Sequence, residues 1–306
     1  MTAQAETRTA PAPVPRRRGW SRLHLAGLAM AAPATIFILV FSLIPVVYGL
    51  YLSLTRYNPL RRGGPEWIGL SNYASLADSP QFWRALGVTG LFVLMVLPPT
   101  VLIATGLAVL VNVRVPGIGA IRSALYIPNI ISLTAVSMIW LWMYSQHGLF
   151  NQIFAWFGLP EQALLYDERT ALAAAAVMRV WKALGSNMVL LLAGLQSIPN
   201  ELYEAARVDG AGKAAQFRHV TVPGLRPMLV FVIAMDIIYL SQSFAEIYVL
   251  TQGGPLASTT TVNYLIYTTA FQYNQFGLSS AMAFVLFAFV AGLSVITMRN
   301  RTGDRP

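Results

Sequence analysis

The chain contains no cysteine. Disulfide bonds, thiolate metal sites and cysteine nucleophiles are therefore excluded together. Charge is nearly as scarce. Asp, Glu, Lys and Arg make up 11% of the 306 residues, and Asp and Glu together number 12. An ordinary soluble domain has about a quarter of its residues charged. Histidine occurs three times, as His24, His147 and His219, too far apart to form a ligand-like cluster, and each reads as an interfacial side chain. No nucleophile stands with a base or a metal cluster, so a hydrolase acting inside a membrane has no machinery to work with.

What fills the chain instead is apolar: hydrophobic residues are 56% of it and the mean hydropathy is +0.58. Leu25 to Thr55, Ala85 to Val113 and Ser123 to Pro160 each run without an Asp, Glu, Lys or Arg. A spanning helix needs roughly 20 apolar residues. The reading is an all-α, polytopic membrane protein with six spans, at about Leu25–Leu52, Ala85–Val111, Ala124–Tyr144, Ala171–Leu195, Pro227–Leu250 and Ser279–Met298. Residues 1–22 form a flexible tail and residues 23–306 one membrane domain, with a polar loop over 196–226. Arg16-Arg17-Arg18 followed by an apolar run imitates a cleavable signal. That apolar run continues to Tyr51, past the 7–15 residues of a signal core. The first helix is retained.

The net charge of +9 suggests nucleic acid at first sight, yet the basic residues are sorted by loop. Arg16, Arg17, Arg18, Arg114, Arg122, Arg207, Lys213, Arg218, Arg226 and the C-terminal arginines fall on one side. Only Arg56, Arg61, Arg62, Arg84 and Arg169 fall on the other. The positive-inside rule then puts both termini in the cytoplasm. Trp140, Trp142 and Tyr144 close the third span at the outer interface, as Tyr48, Tyr51 and Tyr57 close the first. The partner is a lipid bilayer, with no nucleic acid. Pro98-Pro99 and Pro128-Asn129 are expected to kink the second and third spans. The outer loop Asn58–Pro80 is long enough for a cap. Thr251-Gln252-Gly253-Gly254-Pro255 signals an outer turn, and Thr259–Phe276 reads as an outer-surface helix or re-entrant piece.

Between the fourth and fifth spans, Pro199 and Asn200 start a short helix with Glu201 in its first turn, where the helix dipole favours an anion. Leu202, Ala205, Ala206 and Asp209 follow at helical spacing. The two alanines make a narrow face able to seat in a partner's groove, and Gly210 and Gly212 end the helix. Gly210-Ala211-Gly212-Lys213 imitates part of a phosphate loop. The full motif needs Gly and Ser/Thr where this chain has Arg207 and Ala214, so the chain itself is not expected to bind ATP.

Four ionisable residues lie within spans: Arg179 and Lys182 in the fourth, Asp236 and Glu246 in the fifth. Such residues cost at least about 2.5–3.5 kcal/mol each near the membrane centre and face a partner or a cavity. Arg179, Lys182 and Ser186 share one helix face, as do Asp236, Tyr239, Ser243 and Glu246, with Gln242 flanking. At 1.5 Å rise per residue, Lys182 and Asp236 lie roughly 17 and 21 Å below the outer end. The expected pairs are Lys182–Asp236, and more loosely Arg179–Glu246. They either neutralise buried charge or line a path for a hydroxyl-rich solute.

The string Glu204-Ala205-Ala206, Gly210 and Val220-Thr221-Val222-Pro223 resembles the EAA motif of ABC-importer permeases, E-A-A-x3-G-x9-I-x-L-P, with valines for its Ile and Leu. Further strings match the sugar and glycerol-phosphate branch, the maltose-permease type: L-A-G-L-Q-S-I-P, Y-V-L-T-Q-G-G-P, I-Y-T-T-A-F, and I-P-V-V-Y-G-L-Y-L-S-L-T near the amino terminus. The resemblance implies a type I importer permease fold in a bacterial cytoplasmic (inner) membrane. It also implies a second permease subunit, two ATPase subunits carrying ATP and Mg, and an extracytoplasmic solute-binding protein. Glu201, Glu204, Ala205, Ala206, Asp209, Gly210 and Pro223 become the ATPase-coupling residues, with Glu204 paired to a basic residue of the ATPase. The solute contacts fall near Lys182, Ser186, Asn187, Gln242, Ser243 and Glu246. The implied cargo is a mono- or oligosaccharide, with glycerol-phosphate compounds as the alternative in the same class. An ion-coupled secondary transporter using Asp236 is the alternative of another class, but it leaves the docking loop unexplained and no inverted repeat is visible.

Overall fold

The computed structural model of the protein describes residues 23–299. The expected tail over 1–22 lies outside the described residues. Two units divide between Gly49 and Leu50. The first holds α1 (Leu23–Ile38), a π-helical stretch Leu39–Leu43 and the start of α2 (Ile44–Ser53). Its large side chains, among them Ile36, Phe37, Phe41 and Val46, are exposed. A helix apolar all round is stable only in lipid or against another apolar surface.

The second unit is a helical bundle. After a two-residue β-ladder pairing Thr55 with Trp67 and Arg56 with Glu66 comes α3 (Ser71–Ala77). Asn72 ties this cap down by donating to the carbonyls of Ser53 (2.8 Å) and Thr55 (2.9 Å). Next is α4 (Pro80–Val111). Its Ser79 N-cap accepts from the Phe82 amide (3.3 Å), and Pro80 opens its first turn, where a missing N–H costs nothing. Despite Pro98 and Pro99, α4 is one 32-residue helix.

α5 (Ile118–Ile130) and α6 (Leu133–Met143) meet at 92°, so the kink expected at Pro128-Asn129 is a full break in the third span. Pro128 lacks an N–H, and the Ser132 hydroxyl accepts from the Ala135 amide (3.2 Å), starting a new helix at once. α7 (Leu149–Trp156) leads to α8 (Ala171–Gln196), then α9 (Asn200–Val208) and α10 (Lys213–Gln216). From α10 a π-helical turn, Phe217–Thr221, runs directly into α11 (Val222–Ser241). The fifth membrane helix thus begins at Lys213, and the region expected as loop through 226 is helical from there on.

It also stops sooner than expected. Gln242–Phe244 leave the helix and α12 (Ala245–Leu250) restarts it. The turn-rich 251–261 stretch leads to α13 (Val262–Tyr267), a π-helical turn Thr268–Gln272, and α14 (Phe276–Arg299). α13 is inserted into the bundle rather than laid on its surface: Val262 and Leu265 are buried, and the Val262 amide donates to Thr89 of α4 (2.9 Å). Among the described residues five helices are long and apolar enough to cross a membrane, six if α5–α6 counts as one broken span.

Three apolar clusters hold the bundle. One gathers Phe92, Val96, Trp140, Met178 and Ile247. A second, at the α9 end of α8, gathers Met188, Leu191, Leu195, Ile198 and Leu225. The third packs α3 and α13 on α14 through Leu76, Val262 and Met282.

Candidate functional site

α9 is short, polar and amphipathic, and one of its faces is anchored. Tyr203 and Ala206 are half-buried, and the Tyr203 hydroxyl lies 3.1 Å from that of Thr221. The anchor beneath is a close meeting of α8 and α11. A Cβ on Gly194 would come within 2.9 Å of Met228 Cβ, and one on Gly224 within 2.8 Å of Ile198 Cδ1. A side chain at 194 would press on Met228 next to its backbone, whereas at 224 it would meet the movable end of Ile198. Tyr203, Gly194 and Gly224 are not among the residues expected from sequence. The glycines carry no local signal, because their partners lie about 30 residues away along the chain.

The other face of α9 is free among the described residues. Glu201, Glu204, Ala205 and Asp209 are exposed, and so are two large apolar side chains, Leu202 at 51% and Val208 at 88%. Exposed leucine and valine between carboxylates make a surface suited to an apolar groove with a basic rim. Gly210, at φ 77°, closes the helix in the left-handed conformation, with its amide bonded to the Arg207 carbonyl (3.0 Å). Pro223 lies in the first turn of α11 rather than in a loop. Beside the root of α9, Arg114, Arg122, Gln196, Asn200 and Tyr203 line a polar cleft of about 750 Å³.

A second group of polar residues lies deep in the bundle, and here one expected pair is not made. Lys182, 7% exposed, does not reach Asp236. Its ammonium donates to the carbonyls of Pro128 (3.1 Å), Asn129 (3.4 Å) and Ile131 (2.7 Å) at the α5–α6 bend. The physical reason is the break itself: the last carbonyls of a helix have no partner of their own, and they carry the negative end of its dipole. Asp236 instead accepts from the Asn187 amide (2.8 Å).

The looser of the expected pairs is present. Arg179 Nε lies 3.6 Å from Glu246 Oε1, with the Glu246 residue fully buried. The expected single face from Asp236 to Glu246 does not exist, since the helix breaks between Ser241 and Ala245. Freed carbonyls at this break are met from α13 and the residue before it: Asn263 donates to Gln242 (2.8 Å) and Thr261 to Ser243 (2.9 Å). Ser186 bonds back to Ala183 in its own helix (3.1 Å). Tyr239 and Gln242 are exposed. α8 therefore holds one break through Lys182 and touches the segment beyond the other through Arg179.

Comparison with known proteins agrees with this architecture. The family model for binding-protein-dependent transport system inner membrane components matches residues 74–300. The sulfoquinovosyl glycerol transport system permease of Agrobacterium fabrum is 33% identical over 95% of this chain and 96% of its own. The arabinooligosaccharides transport system permease of Bacillus subtilis is 33% identical over 94% of each. The crystal structure of a bacterial alginate ABC transporter, in complex with its alginate pentasaccharide-bound periplasmic protein, contains a chain of the same fold. That chain has a TM-score of 0.79 at 21% identity, covering 90% of this chain and 93% of the other.

Proposed function

The chain belongs to the family of binding-protein-dependent transport system inner membrane components, and we propose that it is one half of the channel of an ATP-driven sugar importer. It is a transport subunit whose work depends on a separate binding protein. The remaining parts of the assembly are those that the resemblance to importer permeases implies. Hydrolysis is assigned to two separate ATPase subunits that hold ATP and Mg, in keeping with the incomplete phosphate-loop string at residues 210–214. Its α9 presents an acidic and apolar face toward the cytoplasm, where the basic loops and both termini lie. A second, related permease subunit completes the channel.

The observation that carries this reading is the rooted but exposed α9. ATP closing the ATPase pair displaces the docked helix. Because α9 sits on the tight α8–α11 contact, those two helices move with it, and the bundle alternates between inward and outward access. Glu204 supplies the charge-assisted contact to a basic residue of the ATPase, flanked by Glu201 and Asp209, while Ala205 and Ala206 permit close seating.

Sugar is favoured over glycerol phosphate by the state of the two intramembrane cations. Lys182 is engaged by three carbonyls and Arg179 by Glu246. A phosphate would have to take one of them away. Exposed hydroxyl and amide groups, from Tyr239 and Gln242, suit a neutral polyol better, and the arabinooligosaccharide name of one relative points the same way. Glu204→Lys tests the docking role. Reversing a charge-assisted contact worth about 1.5–3 kcal/mol predicts at least a tenfold loss of uptake with membrane insertion unchanged. Normal uptake by this variant would remove α9 from the mechanism.

A further inference from the structure

We infer that Lys182 is a positioning residue for transport: by holding the carbonyls of the α5–α6 bend, it makes that bend travel with α8 when α9 is displaced. The inference rests on α9 being the docking helix.

The bend is built to depend on an outside donor. Pro128 disrupts the end of α5 and Ser132 caps α6 immediately, so the intervening carbonyls have no helical partner. An ammonium group carries three donors and no acceptor, and Lys182 directs them at Pro128, Asn129 and Ile131. A membrane interior offers no water to replace them, so irregular backbone persists there only while protein satisfies it.

One turn away, Gly185 brings the two helices into backbone contact. A Cβ there would lie 2.9 Å from Tyr126 Cα and would collide with the Leu125 carbonyl oxygen. One turn the other way, Arg179 meets Glu246 beyond the second break. The 179, 182 and 185 positions thus attach both interrupted segments to α8. That helix is unbroken to Gln196, where Leu191, Leu195 and Ile198 lock it to Leu225 at the root of α9. Displacement of α9 is delivered along a rigid element to the two places where the bundle is already bent. Of the three attachments, Lys182 alone combines charge with several hydrogen bonds to bare backbone.

A cysteine-free chain makes the test direct. In the assembled transporter, spin labels at Met138→Cys on α6 and Val189→Cys on α8, both exposed sites, read the bend against α8. Labels at Arg207→Cys, exposed on the Tyr203 side of α9, and at Phe287→Cys on α14 read the displacement of α9. Distances are compared without nucleotide and with ATP trapped by EDTA. The expected result is a changed α9–α14 distance and an unchanged α6–α8 distance in the parent protein. With Lys182→Met the α6–α8 distance should shift by several ångströms on ATP binding, and Lys182→Arg should restore the parent behaviour. Lys182→Gln, which keeps two donors, serves if the methionine variant does not assemble, and should shift less but measurably. An α9–α14 distance that ignores ATP defeats the docking reading, and the inference with it. A moving α9 with an α6–α8 distance as constant in the methionine or glutamine variant as in the parent defeats the inference alone. So does an α6–α8 distance that already shifts in the parent.

Discussion

Lys182 and Arg179 lie one turn apart on α8 and solve different problems: the first satisfies backbone, the second a carboxylate. Depth along two helices made Lys182–Asp236 look level. Depth gives no rotation about the helix axis, and it gives no view of the free carbonyls that compete for an ammonium group. The Arg179–Glu246 pair was legible because two opposite charges near one end of antiparallel neighbours have few other ways to be neutralised. Its energetics are testable. Removing one member of a buried ion pair costs about 3–5 kcal/mol, whereas replacing both by apolar groups of similar volume is often neutral. Arg179→Met alone, or Glu246→Leu alone, is therefore expected to lower the unfolding temperature in detergent clearly. The double variant should recover most of the loss. A loss in the double variant equal to the sum of the two single losses would mean that the pair does not interact.

The interrupted helices show where local signals suffice and where they do not. Pro128, followed by Ser132, announces a bend, although its 92° and its capping by a residue of another helix are beyond local reading. The stop after Ser241 is silent. Gln242-Ser243-Phe244 contains neither proline nor glycine, and the break is made stable by Asn263 and Thr261 across the 251–261 turn. At Pro98-Pro99, by contrast, α4 continues as one helix through both prolines. Neighbouring helices in a membrane can satisfy the freed backbone groups of a proline helix. α9 was the most legible element, with its start, first-turn acid and terminating glycine all readable, because its boundaries are set by neighbours in sequence. Its anchorage was not. Gly185→Ala tests how closely the α5–α8 contact is fitted. Overpacking of this kind costs about 1–3 kcal/mol, so the variant should assemble less well and lose uptake out of proportion to its surface expression. Wild-type uptake per assembled complex would show that the contact has slack.

Composition alone decided the class of molecule: a chain with 11% charged residues and long charge-free runs has no soluble alternative that buries them. Fold and family follow from matched motifs and from a bundle like that of known importer permeases. The cargo is the least legible property, because recognition surfaces are assembled from side chains whose exposure depends on breaks such as the one after Ser241. The central claim is that ATP, through α9, drives sugar across this bundle. The most direct test is the complex in proteoliposomes, with ATP inside, its binding protein outside and a panel of neutral oligosaccharides and glycerol phosphodiesters. The account predicts that a sugar stimulates ATP hydrolysis and accumulates in the vesicles, with neither effect when ATP is withheld. Accumulation that continues without ATP under an imposed ion gradient would contradict it.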